Sequence, residues 1–179
     1  MNVANLLTIL RFFIIPVFGF YLFREYYITA TLLFLISGIT DILDGYIARK
    51  YNMITAWGKL ADPLADKLIQ ITALVLLAVN NKIPIAVLLI IGAKEMLMII
   101  GSVMLYKKDN FVVSANWYGK MATVVFYIAV GFLIVFRDNG YYAKILIYIM
   151  VISTIFALIM YYMQTYRVVR KKKTTKKST

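Results

Sequence analysis

Four aspartates within a strongly apolar stretch are the residues of this chain best suited to chemistry. The chain has eight acidic residues, and four of them fall within positions 41 to 66: Asp41, Asp44, Asp62 and Asp66. A carboxylate in or beside a bilayer is costly unless a partner offsets its desolvation. The stretch has too few basic residues to pair with all four. A hard divalent cation such as Mg²⁺ or Mn²⁺, which prefers oxygen ligands, is the simplest partner.

The spacing of the aspartates predicts two pairs on helices. Asp41 and Asp44 are three residues apart, and Asp62 and Asp66 are four apart, so each pair shares one helical face. Pro63 comes next after Asp62, and proline is tolerated in a first helical turn. We therefore expect a helix to begin near position 61 or 62. Two helix ends with two carboxylates each could hold two metal ions.

The chain contains no histidine and no cysteine. The absence of cysteine excludes disulfides, a thiolate nucleophile and a cysteine-ligated metal. The absence of histidine removes the commonest general base. Carboxylates are therefore the main candidates for acid–base chemistry.

The composition predicts an integral membrane protein. Hydrophobic residues make up 63% of the chain and the mean hydropathy is +0.81, which excludes an ordinary soluble domain. Six hydrophobic segments each approach the roughly 20 residues that a membrane helix needs. They lie at about 5–23, 27–48, 61–80, 83–106, 117–136 and 140–166. We expect an all-α bundle of six transmembrane helices.

Lysine and arginine residues predict how this bundle is oriented. Five lie around the second-to-third and fourth-to-fifth connections and seven between Arg167 and Thr179, against Arg24, Lys82 and Arg137 on the opposite side. Both termini are therefore expected in the cytoplasm, with the acidic stretch at the cytoplasmic face of the plasma membrane. Residues 1–166 would form the membrane domain. Residues 167–179 would form a disordered basic tail that meets anionic lipids rather than nucleic acid.

Polar residues in other segments allow two interpretations each. Asn5 is a candidate N-cap, and with Thr8 and Arg11 it covers part of one face near the cytoplasmic end of the first segment. Arg11 either reaches the lipid headgroups or faces the bundle and binds a phosphate. Lys94 either pairs with Glu95 or turns toward the site as a phosphate ligand.

Four acids in a membrane bundle are also compatible with the cation site of a transporter, or with the polar core of a structural membrane protein. A transporter should show acids at the midplane, or broken helices, in several segments. In this chain the acids cluster at one predicted membrane face. A cation-binding transporter is the alternative function that we keep from another class of protein.

The complete pattern of the acidic stretch resembles that of the CDP-alcohol phosphatidyltransferases. The pattern is Asp-x2-Asp-Gly-x2-Ala-Arg-x8-Gly-x3-Asp-x3-Asp. Its members in this chain are Asp41, Asp44, Gly45, Ala48, Arg49, Gly58, Asp62 and Asp66. Six membrane helices, with the pattern across the second and third, are also similar to that family. The resemblance implies an enzyme of phospholipid biosynthesis that transfers a phosphatidyl group from CDP-diacylglycerol to an alcohol and releases CMP, and it implies a homodimer.

The resemblance also implies a role for each residue of the pattern. All four aspartates would ligate two Mg²⁺ or Mn²⁺ ions, and Asp66 would also be the catalytic base. The residues expected to bind the CDP group are Asp41, Gly45, Ala48, Arg49 and Gly58. The residues expected to bind the acceptor phosphate are Asn5, Thr8, Arg11, Lys94 and Lys120.

Two further segments resemble bacterial phosphatidylglycerophosphate synthases and CMP-forming cardiolipin synthases. They are residues 5–11, followed by Pro16, and residues 62–68. Phosphatidylglycerophosphate synthases usually carry Arg-Glu in the fourth helix and a second arginine about two turns later. This chain has Lys94-Glu95, and Gly101-Ser102 near the later position. Glycerol 3-phosphate is the expected acceptor, and phosphatidylglycerol is the alternative.

Overall fold

Six helices follow one another along the described part of the chain, which in this computed structural model comprises residues 3–51, 55–109, 117–136 and 140–175. They are α1 (Val3–Phe23), α2 (Tyr27–Lys50), α3 (Ala56–Val79), α4 (Ile85–Asp109), α5 (Trp117–Val135) and α6 (Tyr141–Thr175). A helix satisfies its own backbone hydrogen bonds, as an apolar segment in lipid must. The predicted all-helical class is confirmed, and each predicted segment corresponds to one helix.

The outer surface of the bundle is apolar, whereas polar side chains lie inside it. Phe13, Ile28 and Ile42 are each at least two-thirds exposed, but Thr8 and Arg11 are fully buried. On length and composition, four helices of the described chain could cross a bilayer. Those spans are Asn5–Phe23, Tyr27–Ala48, Trp117–Val135 and Tyr141–Met163. The protein is therefore membrane-embedded, while a count of six spans stays a prediction.

Helices α1, α2 and α3 form one group that positions the aspartates. Helix α1 packs against α2 and α3, α2 also packs against α5, and α6 packs against α4 and α5. The largest fully buried apolar side chains are Phe18, Leu22, Phe34, Ile69, Leu74, Leu77, Ile134 and Met150. The aspartates lie beyond this core, toward the end of the bundle where α2 finishes and α3 begins.

Two helices end in the same hydrogen-bonded turn, with a residue other than glycine in the left-handed conformation. Glu25 after α1 has a φ of 63°, and Asn81 after α3 has a φ of 56°. After α1, the N–H of Tyr26 donates to the carbonyl of Tyr21, and the N–H of Glu25 donates to that of Leu22. These bonds satisfy the last carbonyls of the helix and reverse the chain sharply.

Helix α3 begins earlier than the sequence predicts. Its N-cap is Thr55, whose hydroxyl accepts a hydrogen bond from the N–H of Gly58 at 2.9 Å. The prediction of a start near position 61 is wrong, because this cap satisfies a backbone donor a full turn and a half upstream. Pro63 therefore lies inside α3 rather than in its first turn.

Helix α6 extends further than the sequence predicts. The basic residues from Arg167 onward were expected to be disordered on composition, but α6 continues to Thr175. Lysine and arginine are good helix formers, and their charges interact favourably with the C-terminal end of a helix. Residues 176–179, like Arg137, lie outside the described residues.

Replacing Glu25 by glycine is expected to stabilise the protein by about 1 kcal/mol, because glycine adopts the left-handed conformation without the steric cost that other residues carry. Thermal unfolding in detergent should show a higher Tm. Arg24→Gly is the matched control, since Arg24 has no positive φ and its replacement should not raise the Tm. An equal rise in both variants would contradict this explanation.

Candidate active site

The four aspartates meet where the end of α2 faces the start of α3. Only residues 51–55 separate these helices, so Asp41 and Asp44 come opposite Asp62 and Asp66. Asp41 is close enough to Asp62 and Asp66 for their carboxylates to repel it, and Asp62 likewise repels Asp44. The structure therefore gathers the carboxylates that the sequence singles out.

Arg11 of α1 reaches into this group of aspartates. Its side chain is fully buried, so it faces the bundle and not the lipid headgroups. Its Nη1 donates to Oδ1 of Asp41 at 2.5 Å, and its Nη2 donates to Oδ2 of Asp44. Its Nε is buried and has no hydrogen-bond partner among the described residues. Removing one partner of such a buried pair costs about 3–5 kcal/mol, because the remaining charge is left uncompensated.

Two further residues of α1 contact the start of α3. The hydroxyl of Thr8 donates to Oδ1 of Asp62 at 2.5 Å. The hydroxyl of Thr55 donates to Oδ1 of Asn5 at 2.9 Å while it accepts from the N–H of Gly58. The prediction that Asn5 is an N-cap is wrong, because α1 begins two residues before it. Asn5 instead supports the cap of α3.

Gly58 leaves little room for a side chain. A Cβ atom at this position would lie 3.0 Å from Oγ1 of Thr55, 3.2 Å from Oδ1 of Asn5 and 3.7 Å from Oδ2 of Asp62. A larger residue would therefore displace the polar contacts by which α1 meets α3. This close approach accounts for glycine at this position of the pattern, while its predicted contact with CDP stays a prediction.

Asp66 is held by neutral hydrogen-bond donors. Nε2 of Gln70, one turn further along α3, lies 2.9 Å from both carboxylate oxygens. The hydroxyl of Tyr127 on α5 donates to Oδ1 at 3.1 Å. The ammonium of Lys67 lies 3.8 Å from Oδ2 of Asp66 but 3.0 Å from Oε2 of Glu95. The negative charge of Asp66 is therefore only weakly compensated.

Lys94 pairs with Glu95 on α4. Its Nζ lies 2.5 Å from Oε1 of Glu95, which is shared with Lys67. Lys94, Glu95, Gln70 and Thr123 belong to the polar part of the lining of a small cavity, whose other wall is apolar. Of the two interpretations that the sequence allows for Lys94, the ion pair is the one present. Phosphate binding by this residue stays a prediction.

The remaining predicted residues have different surroundings. Gly45 and Ala48 follow Asp41 at intervals that put all three on one face of α2. The side chain of Arg49 lies outside the described part of the structure. Lys120 is exposed on the first turn of α5. Roles for these residues in binding CDP or phosphate stay predictions.

Comparison with known protein families shows to which family the chain with these clustered aspartates belongs. A sequence model described as CDP-alcohol phosphatidyltransferase matches residues 1–162. The chain belongs to the CDP-alcohol phosphatidyltransferase family. Residues 1–162 include α1 to α5 and the greater part of α6. The resemblance that rests on the aspartate pattern is thereby confirmed, and so is the assignment to an enzyme class.

Relatives with a named activity are similar to most of the chain. A CDP-diacylglycerol–glycerol-3-phosphate 3-phosphatidyltransferase of Haemophilus influenzae is 37% identical over 170 residues, covering 89% of this chain and 91% of the relative. A protein of the same name from Aquifex aeolicus is 35% identical over 69% of this chain and 70% of its own length. One from Bacillus subtilis is 32% identical over 74% and 76%. The similarity extends well beyond the acidic stretch.

The donor atoms of this phosphatidyltransferase site suit a hard divalent cation. All four candidate ligands are carboxylates, the donors that Mg²⁺ and Mn²⁺ prefer. Of the described side chains, Arg11 and Lys67 offset this charge, and Lys67 is shared with Glu95. Within the described residues, no three acidic side chains converge closely enough to hold a metal ion as they stand. Metal binding would therefore require carboxylates to turn from Arg11 and Thr8.

The sequence interpretation missed two residues that contact Asp66. Gln70 is buried four residues after it, and this spacing on an apolar helix is a signal that was available. Tyr127 gives no comparable signal, because a tyrosine in an apolar helix is first assigned to the membrane interface. Its contact depends on how α5 packs against α2 and α3.

Replacing Arg11 by methionine is expected to destabilise the phosphatidyltransferase by about 3 kcal/mol, because Asp41 and Asp44 lose their buried cation. Unfolding in detergent without divalent ions measures this loss. The double variant Arg11→Met, Asp44→Asn should regain part of the stability, since one uncompensated charge is removed.

Arg24→Met serves as the matched control for this experiment, because Arg24 is exposed and its loss should change stability little. An Arg11→Met variant as stable as the wild type would contradict the role of the ion pair. So would a double variant whose loss of stability exceeds the sum of the losses in the two single variants.

Proposed function

We propose that this protein transfers a phosphatidyl group from CDP-diacylglycerol to glycerol 3-phosphate and releases CMP. The observation that carries the proposal is that four carboxylates of α2 and α3 lie near enough to interact electrostatically, in a member of this family. The 37% identical relative named for this reaction supports glycerol 3-phosphate as the acceptor.

In the proposed reaction, the acceptor hydroxyl bonds to the β-phosphorus of CDP-diacylglycerol. The bond between that phosphorus and the CMP oxygen breaks, and the hydroxyl proton passes to Asp66. Gln70 and Tyr127 would orient this carboxylate, and positioning is what a general base requires first. No histidine in the chain competes for the role.

The residues that would hold two Mg²⁺ or Mn²⁺ ions are Asp41, Asp44, Asp62 and Asp66. The chemistry that such ions supply when bound is neutralisation of the negative charge developing on the diphosphate. The chain's own contribution is to bring four carboxylates to one place against their mutual repulsion, with Arg11 and Thr8 contacting three of them.

The CDP group would lie against α2. Gly45 and Ala48 have small side chains on the face that carries Asp41, so they would leave room for the nucleotide. Arg49 would pair with the diphosphate, and Gly58 would keep the opposing end of α3 close. These contacts are proposed from the family pattern.

The acceptor phosphate would be bound by residues of α1, α4 and α5. Its candidate cations are Arg11, Lys94 and Lys120, with Asn5 and Thr8 as polar neighbours. Lys94 would exchange Glu95 for the phosphate, and Lys67 would keep Glu95 partly compensated after that exchange.

The membrane arrangement that we propose has six spans, with both termini in the cytoplasm and the site at the cytoplasmic face of the plasma membrane. The excess of lysine and arginine around the α2–α3 and α4–α5 connections supports this orientation. Residues 1–166 would form the catalytic membrane domain, and the basic residues 167–179 would meet anionic lipids. A homodimer is proposed from the family resemblance.

A second candidate acceptor is phosphatidylglycerol, which would make the enzyme a CMP-forming cardiolipin synthase. The sequence of α4 contains no arginine, and Lys94 is engaged by Glu95. A lysine provides a point charge and not the bidentate fork of an arginine. This difference favours an acceptor other than a free phosphate monoester, so the two acceptors need separate tests.

The purified protein is expected to release CMP from CDP-diacylglycerol when glycerol 3-phosphate and Mg²⁺ or Mn²⁺ are present. Phosphatidylglycerol is offered in a separate reaction, and CMP is quantified by chromatography. Release with phosphatidylglycerol alone would assign the protein to the cardiolipin branch. Release with neither acceptor would contradict the proposed reaction.

Removal of divalent ions is expected to abolish this CMP release, because four carboxylates would repel the diphosphate without them. The measurement uses excess chelator, followed by titration of Mg²⁺ or Mn²⁺ to restore turnover. Full activity in excess chelator would contradict the metal assignment.

Asp66→Asn is expected to lower turnover by at least about 100-fold, the lower range for loss of a general base, while the protein stays folded. Glu25→Gln is the matched control, because Glu25 is an exposed acid in the α1–α2 turn. Turnover is measured as CMP release, and folding as Tm. Wild-type turnover of Asp66→Asn would show that another group takes the proton.

A further inference from the structure

A tyrosine midway along α5 makes an unusual contact for its position. Tyrosines of membrane helices collect at the two interfaces, but Tyr127 lies well inside α5, with its ring against the apolar core. Its hydroxyl donates to Oδ1 of Asp66 on α3 at 3.1 Å. Asp41 and Arg11 are also close enough to interact with it electrostatically. The hydroxyl therefore lies at the edge of the aspartate group.

The ring of Tyr127 packs against α2, and this packing holds its hydroxyl next to Asp66. It stacks on Phe34 with ring centroids 4.7 Å apart and an interplanar angle of 28°. It also lies against Gly38, where a Cβ atom would come within 2.9 Å of Cε1 and 3.0 Å of Cδ1 of the ring. Real Cβ atoms do not approach so closely, so the ring occupies this place only because residue 38 is glycine.

The Tyr127 hydroxyl and Gln70 hold the Asp66 carboxylate from different directions. Gln70 lies on the same helix as Asp66 and holds both carboxylate oxygens from one side at 2.9 Å. Tyr127 approaches from another helix and fixes Oδ1. With two donors from different helices, the carboxylate has little freedom to rotate toward Lys67, which lies 3.8 Å from Oδ2.

We propose that Tyr127 is a positioning residue for Asp66 and that Gly38 provides the space that this contact needs. The proposal rests on the proposed function, in which Asp66 binds metal and accepts the proton. A base or a ligand that must act in one orientation loses efficiency when a supporting hydrogen bond is removed. A purely structural tyrosine would contribute only through its ring.

Tyr127→Phe separates these two roles, because phenylalanine keeps the ring on Phe34 and removes the hydroxyl. We expect kcat for CMP release to fall about tenfold with KM for CDP-diacylglycerol and the Tm little changed. Mn²⁺ affinity of the protein, measured by the EPR signal of free Mn²⁺ without any substrate, should fall about tenfold as well. Tyr148→Phe is the control, since Tyr148 is 67% exposed on α6 and should behave as wild type.

Gly38→Ala tests the same contact by filling the space that the Tyr127 ring occupies. The added methyl group must displace the ring, so Mn²⁺ affinity and kcat should fall. In the Tyr127→Phe background the same substitution should have a smaller effect, because the hydroxyl contact is already absent. Gly92→Ala is the matched control, because nothing lies within 4 Å of a Cβ atom at that position.

Wild-type kcat and wild-type Mn²⁺ affinity in both Tyr127→Phe and Gly38→Ala would overturn the proposal. Strictly additive effects of the two substitutions would overturn the part assigned to Gly38. If the wild type releases no CMP with any acceptor, the proposed function fails, and the Mn²⁺ measurement still decides whether Tyr127 supports Asp66.

Discussion

The burial of one arginine between two aspartates is the interaction on which the rest of this structure depends. Arg11 is fully inside the bundle and contacts both Asp41 and Asp44. A lone carboxylate or guanidinium at that depth would be strongly unfavourable, so each needs the other. Arg11 contacts two of the four clustered carboxylates but offsets only one unit of their negative charge. Asp62 and Asp66 have mainly neutral donors, and this imbalance is what makes the site suited to divalent cations.

Helix α1 organises the site although it carries none of the acidic residues. Asn5, Thr8 and Arg11 lie on neighbouring positions of one face. Asn5 supports the cap of α3, Thr8 contacts Asp62, and Arg11 contacts the aspartates of α2. Each residue thus joins α1 to a different part of the α2–α3 pair. The hydrogen bonds of Thr55 with Asn5 and with the N–H of Gly58 join the same helices, and glycine at position 58 leaves space for them.

A second polar region adjoins the site and links it to the rest of the bundle. Lys67 lies between Asp66 and Glu95, and Glu95 also pairs with Lys94. Because Glu95 forms ion pairs with both lysines, neither lysine neutralises the aspartates strongly. The charge of the site is therefore set partly by Glu95 on α4, which lies outside the aspartate pattern of α2 and α3.

Much of the fold was accessible from the sequence, because hydrophobic segments of about 20 residues predict helices directly. The convergence of the aspartates was also accessible, since two helices joined by a short connection must place their adjoining ends together. The start of α3 was not, because its cap at Thr55 lies in a stretch that hydropathy assigns to a loop.

Contacts between distant helices were the least predictable part. The partner of Arg11 depends on which face of α2 meets α1, and hydropathy does not give that rotation. The same holds for Tyr127, whose hydrogen bond to Asp66 depends on the packing of α5. For Lys94 the adjacent Glu95 was visible in the sequence, but the participation of Lys67 from α3 was not.

The most direct test of the central claim, that the clustered aspartates form a divalent-cation site, is a Mn²⁺ titration of the purified protein in detergent without substrate. The wild type is compared with a variant in which Asp62 and Asp66, the two aspartates that Arg11 does not contact, are both asparagine. Saturable Mn²⁺ binding by the wild type and its loss in the variant is the predicted result. Equal Mn²⁺ binding by both proteins, at equal Tm, would contradict the claim.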